Sequence, residues 1–210
     1  MRSLLAVLVL VLAAAPADAQ FRRSQPFAEK GDFAVLAEVS GLDVLQLRPA
    51  VGGVGIRYRV ADQTAVGLSV GVNGFSASAG SDDRDQNVSG TDVRVSTWFE
   101  QHVGRRSRTV SPFVGAGVRF NAGRNTSSDG LGPNAFESEV SQFGVGGALL
   151  LGAEVRLARG VTLGGAYTLG VEYQRNEQSF TAPGTDPGSQ VQDVVRFGTG
   201  VTNLAVSAYF

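Results

Sequence analysis

Apolar and polar residues alternate along most of this chain with a period of two. From 161 to 174 the odd positions read Val161, Leu163, Gly165, Tyr167, Leu169, Val171 and Tyr173. The even positions between them read Thr162, Gly164, Ala166, Thr168, Gly170, Glu172 and Gln174. From 64 to 75, Val66, Leu68, Val70 and Val72 fall on one face, with Ala65, Gly67, Ser69, Gly71 and Asn73 on the other. Strict alternation over ten or more residues predicts a strand whose two faces meet different surroundings. The same period predicts strands over 110–124, with Val114, Ala116, Val118 and Phe120 on the apolar face, and over 141–157, with Leu150 as an exception. In 92–103, Val93, Val95, Thr97 and Phe99 stand against Arg94, Ser96, Glu100 and His102. A first strand is expected near 33–40 and a last one over 190–210. The second, about 46–60, changes phase at Gly52-Gly53, which reads either as a bulge or as the true start of the strand.

These segments number eight, and the connections between them alternate in length. Ala61 to Gln63, Gly104 to Arg108 and Ala158 to Gly160 are short. Ala77 to Gly90, Asn125 to Ser138 and Arg175 to Ser189 are longer, rich in Ser, Gly, Asp, Asn and Pro, and are expected as loops. Strands of about 10 residues in even number, joined by short turns at one end and long loops at the other, are what a membrane-spanning barrel needs. The expectation is an all-β fold, an eight-stranded antiparallel up-and-down transmembrane β-barrel over 33–210.

Composition agrees with that pattern. Glycine is 28 of 210 residues and charged residues are 18%, whereas an average chain has about 7% and ~25%. Mean hydropathy is close to zero at +0.05, so apolar character is spread along the chain and not gathered into helices. A soluble lipocalin-type barrel also alternates, but its apolar face points inward around a ligand. Here the polar face is glycine, serine and alanine with isolated charges, which suits a narrow lumen, and the aliphatic face suits lipid.

At the N-terminus, Arg2, the apolar stretch Leu4 to Ala15 and Ala17-Asp18-Ala19 form the three parts of a secretory signal, expected to be cleaved after residue 19. Its apolar stretch is too short to cross ~30 Å of bilayer as a helix. Residues 20–32 then form a short periplasmic tail. The chain has no cysteine, so export brings no disulfides. A net charge of −1 gives no electrostatic footprint for nucleic acid, and no cofactor motif is present.

Leu204, Val206, Ala208 and Phe210 alternate and end on a terminal phenylalanine, with Tyr209 out of phase. With the signal, the strand count and the loop pattern, the chain from about residue 31 resembles the small OmpA-type, OmpX-type and opacity-type barrels of bacterial outer membranes. That resemblance implies an outer-membrane location among lipids and lipopolysaccharide. It also implies recognition by the barrel-assembly machinery through Leu204, Val206 and Phe210. Fold alone leaves function open.

The candidate site is the set of charges on the inward parity: Glu38, Arg57, Arg94, Glu100, Arg119, Glu154, Arg156 and Glu172. Unpaired charges in a narrow lumen cost several kcal/mol, so they are expected to pair into a plug, or else to line a small pore. Trp98 has inward parity and is placed as a lumen cap; outward aromatics such as Phe99, Tyr167 and Tyr173 are expected in interfacial girdles. His102, the one histidine, is read as a lumen or interfacial residue, with a catalytic base as the distant alternative. Asp82, Asp83 and Asp85 read as a solvated loop tip, or less plainly as a cation site near lipopolysaccharide. Gly53-Val54-Gly55 and Gly115-Ala116-Gly117 precede no helix and read as strand glycines giving room inside. Together these features predict a non-enzymatic membrane barrel that anchors and displays loops for envelope integrity or surface interaction. A narrow porin for ions or small solutes is the first alternative and a lipid-modifying enzyme a remote one.

Overall fold

In the computed structural model, the described residues are 29–40, 51–81, 84–103, 109–129, 136–181, 184 and 188–210. Among them are eight strands: β1 (Phe33–Ser40), β2 (Val51–Ala61), β3 (Thr64–Ser81), β4 (Arg84–His102), β5 (Val110–Asp129), β6 (Phe136–Ala158), β7 (Val161–Thr181) and β8 (Gly188–Tyr209). Each pairs antiparallel with its neighbour in sequence, and β8 pairs back onto β1, closing the barrel. Closure leaves no open edge, the one way a sheet can satisfy its backbone groups in lipid. The seam is completed at the chain end, where Phe210 N donates to Phe33 O at 2.8 Å. The predicted signal, 1–19, and most of the expected tail lie outside the described residues.

The two parities separate as the sequence requires. Val54, Ile56, Val66, Leu68, Val114, Val118, Leu149, Leu151, Leu169 and Val171 are exposed on the outside, while Ser69, Glu100, Glu154 and Thr162 are buried inside. The outer apolar face has a sharp upper limit. On β5 it runs from Val110 to Ala122 and gives way to Arg124 and Thr126; on β6 Phe143 gives way to Ser141 and Glu139; on β7 Tyr173 gives way to Arg175 and Glu177. Twelve steps from Val110 to Ala122 cover about 40 Å along the strand, or about 30 Å along the axis at a tilt of ~40°. That height matches the hydrocarbon band a membrane barrel presents.

One expectation needs correction, and the two strands of uncertain phase are settled. The segments expected as long loops are largely strand: Ala77 pairs with Val88, Asn125 with Val140, and Glu177 with Val191. The barrel wall therefore continues above the apolar band as tall hairpins, where both faces are polar and the apolar alternation stops. The second strand begins at Val51, and Gly52 and Gly53 continue in register with Val39 and Glu38, so no bulge is needed there. A bulge does occur in β8, where the β7 register steps from Thr168–Val201 to Leu169–Thr199. It shifts the phase, so that Phe197 above it (84% exposed) and Leu204 below it (40%) both face outward.

The turn end is held by two left-handed glycines. Gly31 (φ 96°) lets its N–H reach Arg59 O at 2.8 Å, while Asp32 O accepts from Arg59 N at 2.9 Å. Gly160 (φ 69°) turns β6 into β7, with its carbonyl accepting from Tyr209 N at 2.6 Å. A Cβ on Gly160 would sit 3.0 Å from Tyr209 O, so glycine is required there for both its dihedral and its size.

Candidate functional site: the floor and cavity of the lumen

The inward charges divide into two tiers. The lower tier, at the short-turn end, is a buried floor centred on Glu154, which is 0% exposed. Its Oε1 accepts from Arg57 Nη1 (2.7 Å), Thr162 Oγ1 (2.6 Å) and the Tyr209 hydroxyl (2.9 Å), and its Oε2 accepts from Arg59 Nη2 (3.1 Å). Arg57 also donates from Nη2 to Glu100 Oε1 at 3.1 Å, and Trp98 Nε1 donates to the same oxygen at 2.7 Å. Two guanidiniums thus meet two carboxylates with no net charge. Such balance is what makes burial of four charges tolerable, because each ion's desolvation is offset only by good geometry to its partners.

The strands put these groups in one layer by parity. Arg57 and Arg59 are two residues apart on β2, Glu100 and Trp98 two apart on β4, and Glu154 faces them from β6. The Trp98 ring lies over the inward face of β3, where a Cβ on Gly67 would come within 2.2 Å of Trp98 Cζ2. The glycine is therefore what admits the indole, and Trp98 caps the floor as its parity predicts. Below it, His102 Nδ1 is 2.7 Å from Ser111 Oγ, and its Nε2 is 3.7 Å from Glu100 Oε2. The ring packs against Phe113 at 5.5 Å between centroids. A hydroxyl, an imidazole and a carboxylate are thus in line, yet Ser111 and His102 are fully buried and neither borders the cavity above. The Ser111 hydroxyl is enclosed, and its contact orients the imidazole.

The upper tier lines a cavity of about 470 Å³ that includes Glu38, Arg94, Arg119 and Glu172. Ser69 Oγ donates to Glu38 Oε1 at 2.8 Å. With its amide oriented to satisfy both neighbours, Asn121 donates to Glu172 Oε1 at 3.1 Å and to Gly144 O at 3.0 Å. The Arg94 charge is attracted by Glu38, Glu172 and Asp92 and repelled by Arg119. Arg156 has inward parity at the short-turn end, where it senses the Glu154 charge and its backbone N donates to Thr109 O at 2.8 Å.

Of the eight predicted charges, the structure joins Arg57, Glu100 and Glu154 in the floor. Glu38, Arg94, Arg119 and Glu172 line the cavity, and Arg156 sits below. Sequence reasoning missed Arg59, Tyr209, Thr162 and Ser111 as partners. Parity was the available signal: Arg59 shares that of Arg57, and Tyr209 is inward because Phe210 is outward. The Arg59 guanidinium also stacks over the Tyr209 ring at 5.9 Å. Leu204, Val206 and Phe210 have the outward parity, with Leu204 opposite Val39 and Val206 opposite Ala37 across the seam. Asp82 and Asp83 lie outside the described residues, and Asp85 is part of β4. Among the described residues no group of His, Cys, Asp and Glu could hold a metal ion.

The model of the family described as outer membrane protein beta-barrel domain matches residues 3–202. Among solved structures, a major outer membrane protein from Thermus thermophilus superposes with a TM-score of 0.57 at 17% identity, covering 86% of this chain and 99% of that one. The outer membrane protein OprG from Pseudomonas aeruginosa gives a TM-score of 0.48 at 16% identity, covering 89% and 99%. No curated protein matches the sequence.

Proposed function

The chain belongs to the outer membrane protein beta-barrel domain family, and from that premise we propose that it is a non-conducting, non-enzymatic barrel that anchors and displays hairpins at the cell surface. A member of this family resides in the bacterial outer membrane, among that membrane's lipids. The observation that carries the reading is the floor: Arg57, Arg59, Glu100, Glu154, His102 and Ser111 are all buried, so ions meet a neutral, hydrogen-bonded layer and not an aqueous path. An eight-stranded interior is narrow enough for side chains to close it at one level, as they do at the floor, which supports the same conclusion. The tall hairpins give the barrel its function, either in envelope integrity or in surface contact. Export through a signal cleaved after residue 19, assembly through Leu204, Val206 and Phe210, and contact of the outer rim with lipopolysaccharide complete the proposal.

Solute uptake into proteoliposomes tests it. The protein should swell liposomes in arabinose no faster than lipid alone, whereas swelling that depends on solute size would move the assignment to a narrow porin. The cavity above the floor favours that second reading, which additionally needs the floor to open. Shortening the β5–β6 and β7–β8 hairpins to the edge of the apolar band should remove surface binding and leave the barrel folded.

A further inference from the structure

The cavity above the floor is built asymmetrically. Its wall nearer the floor carries Trp98, Phe113, Ala148 and Leu150, and Arg94 and Arg119 also line it. The two arginines come from paired strands, with Arg94 opposite Asn121 and Arg119 opposite Ser96. They are therefore diagonal neighbours on one inner face, about 7–8 Å apart at the backbone. The Arg119 charge repels that of Arg94. Their carboxylate neighbours are engaged in part elsewhere, Glu38 by Ser69 and Glu172 by Asn121. Arg119 makes no hydrogen bond or close ion pair with another described residue, and it is only half-buried. A half-exposed guanidinium facing a cavity beside a second positive charge is a site for an anion, and Arg is the side chain that grips a carboxylate through two parallel hydrogen bonds.

We propose that this cavity binds a small organic monocarboxylate, its carboxylate held by Arg119 with Arg94 adding charge and its apolar body lying on Trp98 and Leu150. A volume of about 470 Å³ falls within the range of small-molecule sites, and the apolar Trp98, Ala148 and Leu150 lie beside a lining otherwise rich in charged and polar groups. Small barrels hold one such ligand where side chains leave space. Here the space comes from inward residues without bulk: Gly117, Gly146, Ala148 and Gly170. The site uses the lumen alone and is independent of what the hairpins contact.

Trp98 is the only tryptophan in the chain and borders this cavity, so its fluorescence reports occupancy directly. Benzoate serves as the probe and benzyl alcohol as its uncharged counterpart, titrated into refolded protein in an uncharged detergent. Equilibrium dialysis with radiolabelled benzoate gives an independent reading. Benzoate should bind saturably and at least tenfold tighter than benzyl alcohol. Arg119→Gln should weaken benzoate at least tenfold while leaving benzyl alcohol unchanged, and Ala148→Phe, which fills the apolar wall, should abolish both. Binding that does not saturate, equal affinity for the alcohol, or wild-type affinity in Arg119→Gln would overturn the proposal. If Arg119→Gln does not refold, the comparison of the two probes on wild-type protein decides the matter alone.

Discussion

Glu154→Gln is the substitution that bears most directly on the floor. Wild type places two guanidiniums against two carboxylates, and Glu154 touches both arginines, at 2.7 and 3.1 Å. Glutamine keeps the shape and still accepts from Thr162 and Tyr209, but it leaves Arg57 and Arg59 facing Glu100 alone. The floor then buries one uncompensated positive charge. Removing one partner of a buried ion pair costs about 3–5 kcal/mol, and the retained hydrogen bonds place this case near ~3 kcal/mol. With a urea dependence of about 1–3 kcal/mol per molar, the unfolding midpoint in lipid vesicles should fall by roughly 1–3 M. Neutrality can be restored from the other side, since Arg59→Gln in the same chain leaves Arg57 with Glu100. The double variant should be more stable than the sum of the two single losses by at least about 1 kcal/mol. The assay is equilibrium unfolding followed by tryptophan fluorescence, which also reports the Trp98–Glu100 hydrogen bond. A midpoint shift below about 0.3 M, or strictly additive losses, would refute the reasoning that charge balance holds the floor.

Two further substitutions test the barrel's placement and its turns. Leu149 is 60% exposed in the apolar band, so Leu149→Arg should cost about 2–4 kcal/mol in vesicle unfolding, whereas Ser141→Arg on the same strand and face should cost no more than ~1 kcal/mol. Equal costs at the two positions would mean the band edge is misplaced. Gly160→Val forces a branched side chain into a positive φ and against Tyr209 O, which predicts a loss of at least ~1–2 kcal/mol by the same assay and a slower closure of the barrel seam.

The membrane-spanning half of the fold was legible because lipid and lumen impose opposite chemistry on alternate residues. That is why 161–174 reads so plainly and why the inward charges could be named from parity. The upper half was not legible for the same reason. Once β5 passes Ala122, the outward Arg124, Thr126 and Ser128 are as polar as the inward Asn125 and Ser127, so a paired strand carries no apolar period and looks like a loop. The bulge opposite Thr168 and Leu169 hides the phase of β8, because residues 191–197 and 204–210 face outward on opposite parities. The floor was half visible. Arg57, Glu100 and Glu154 stood out as charges in small-residue strands, but Arg59 lies beside a turn, and the inward Tyr209 was masked by the outward Phe210 next to it. Which charges meet depends on how far each strand is staggered around the barrel, and one strand's sequence does not encode that offset.

Everything proposed for the lumen depends on its being closed at the short-turn end by a neutral, ion-paired layer. Planar-bilayer recording of refolded wild-type protein, after confirming that its gel mobility shifts on boiling, probes that closure without any substitution. A closed floor predicts a folded barrel with no steady current above the bare bilayer. Steady single-channel steps that grow with salt, and that change ion selectivity when Arg94 or Arg119 is reversed in charge, would contradict it.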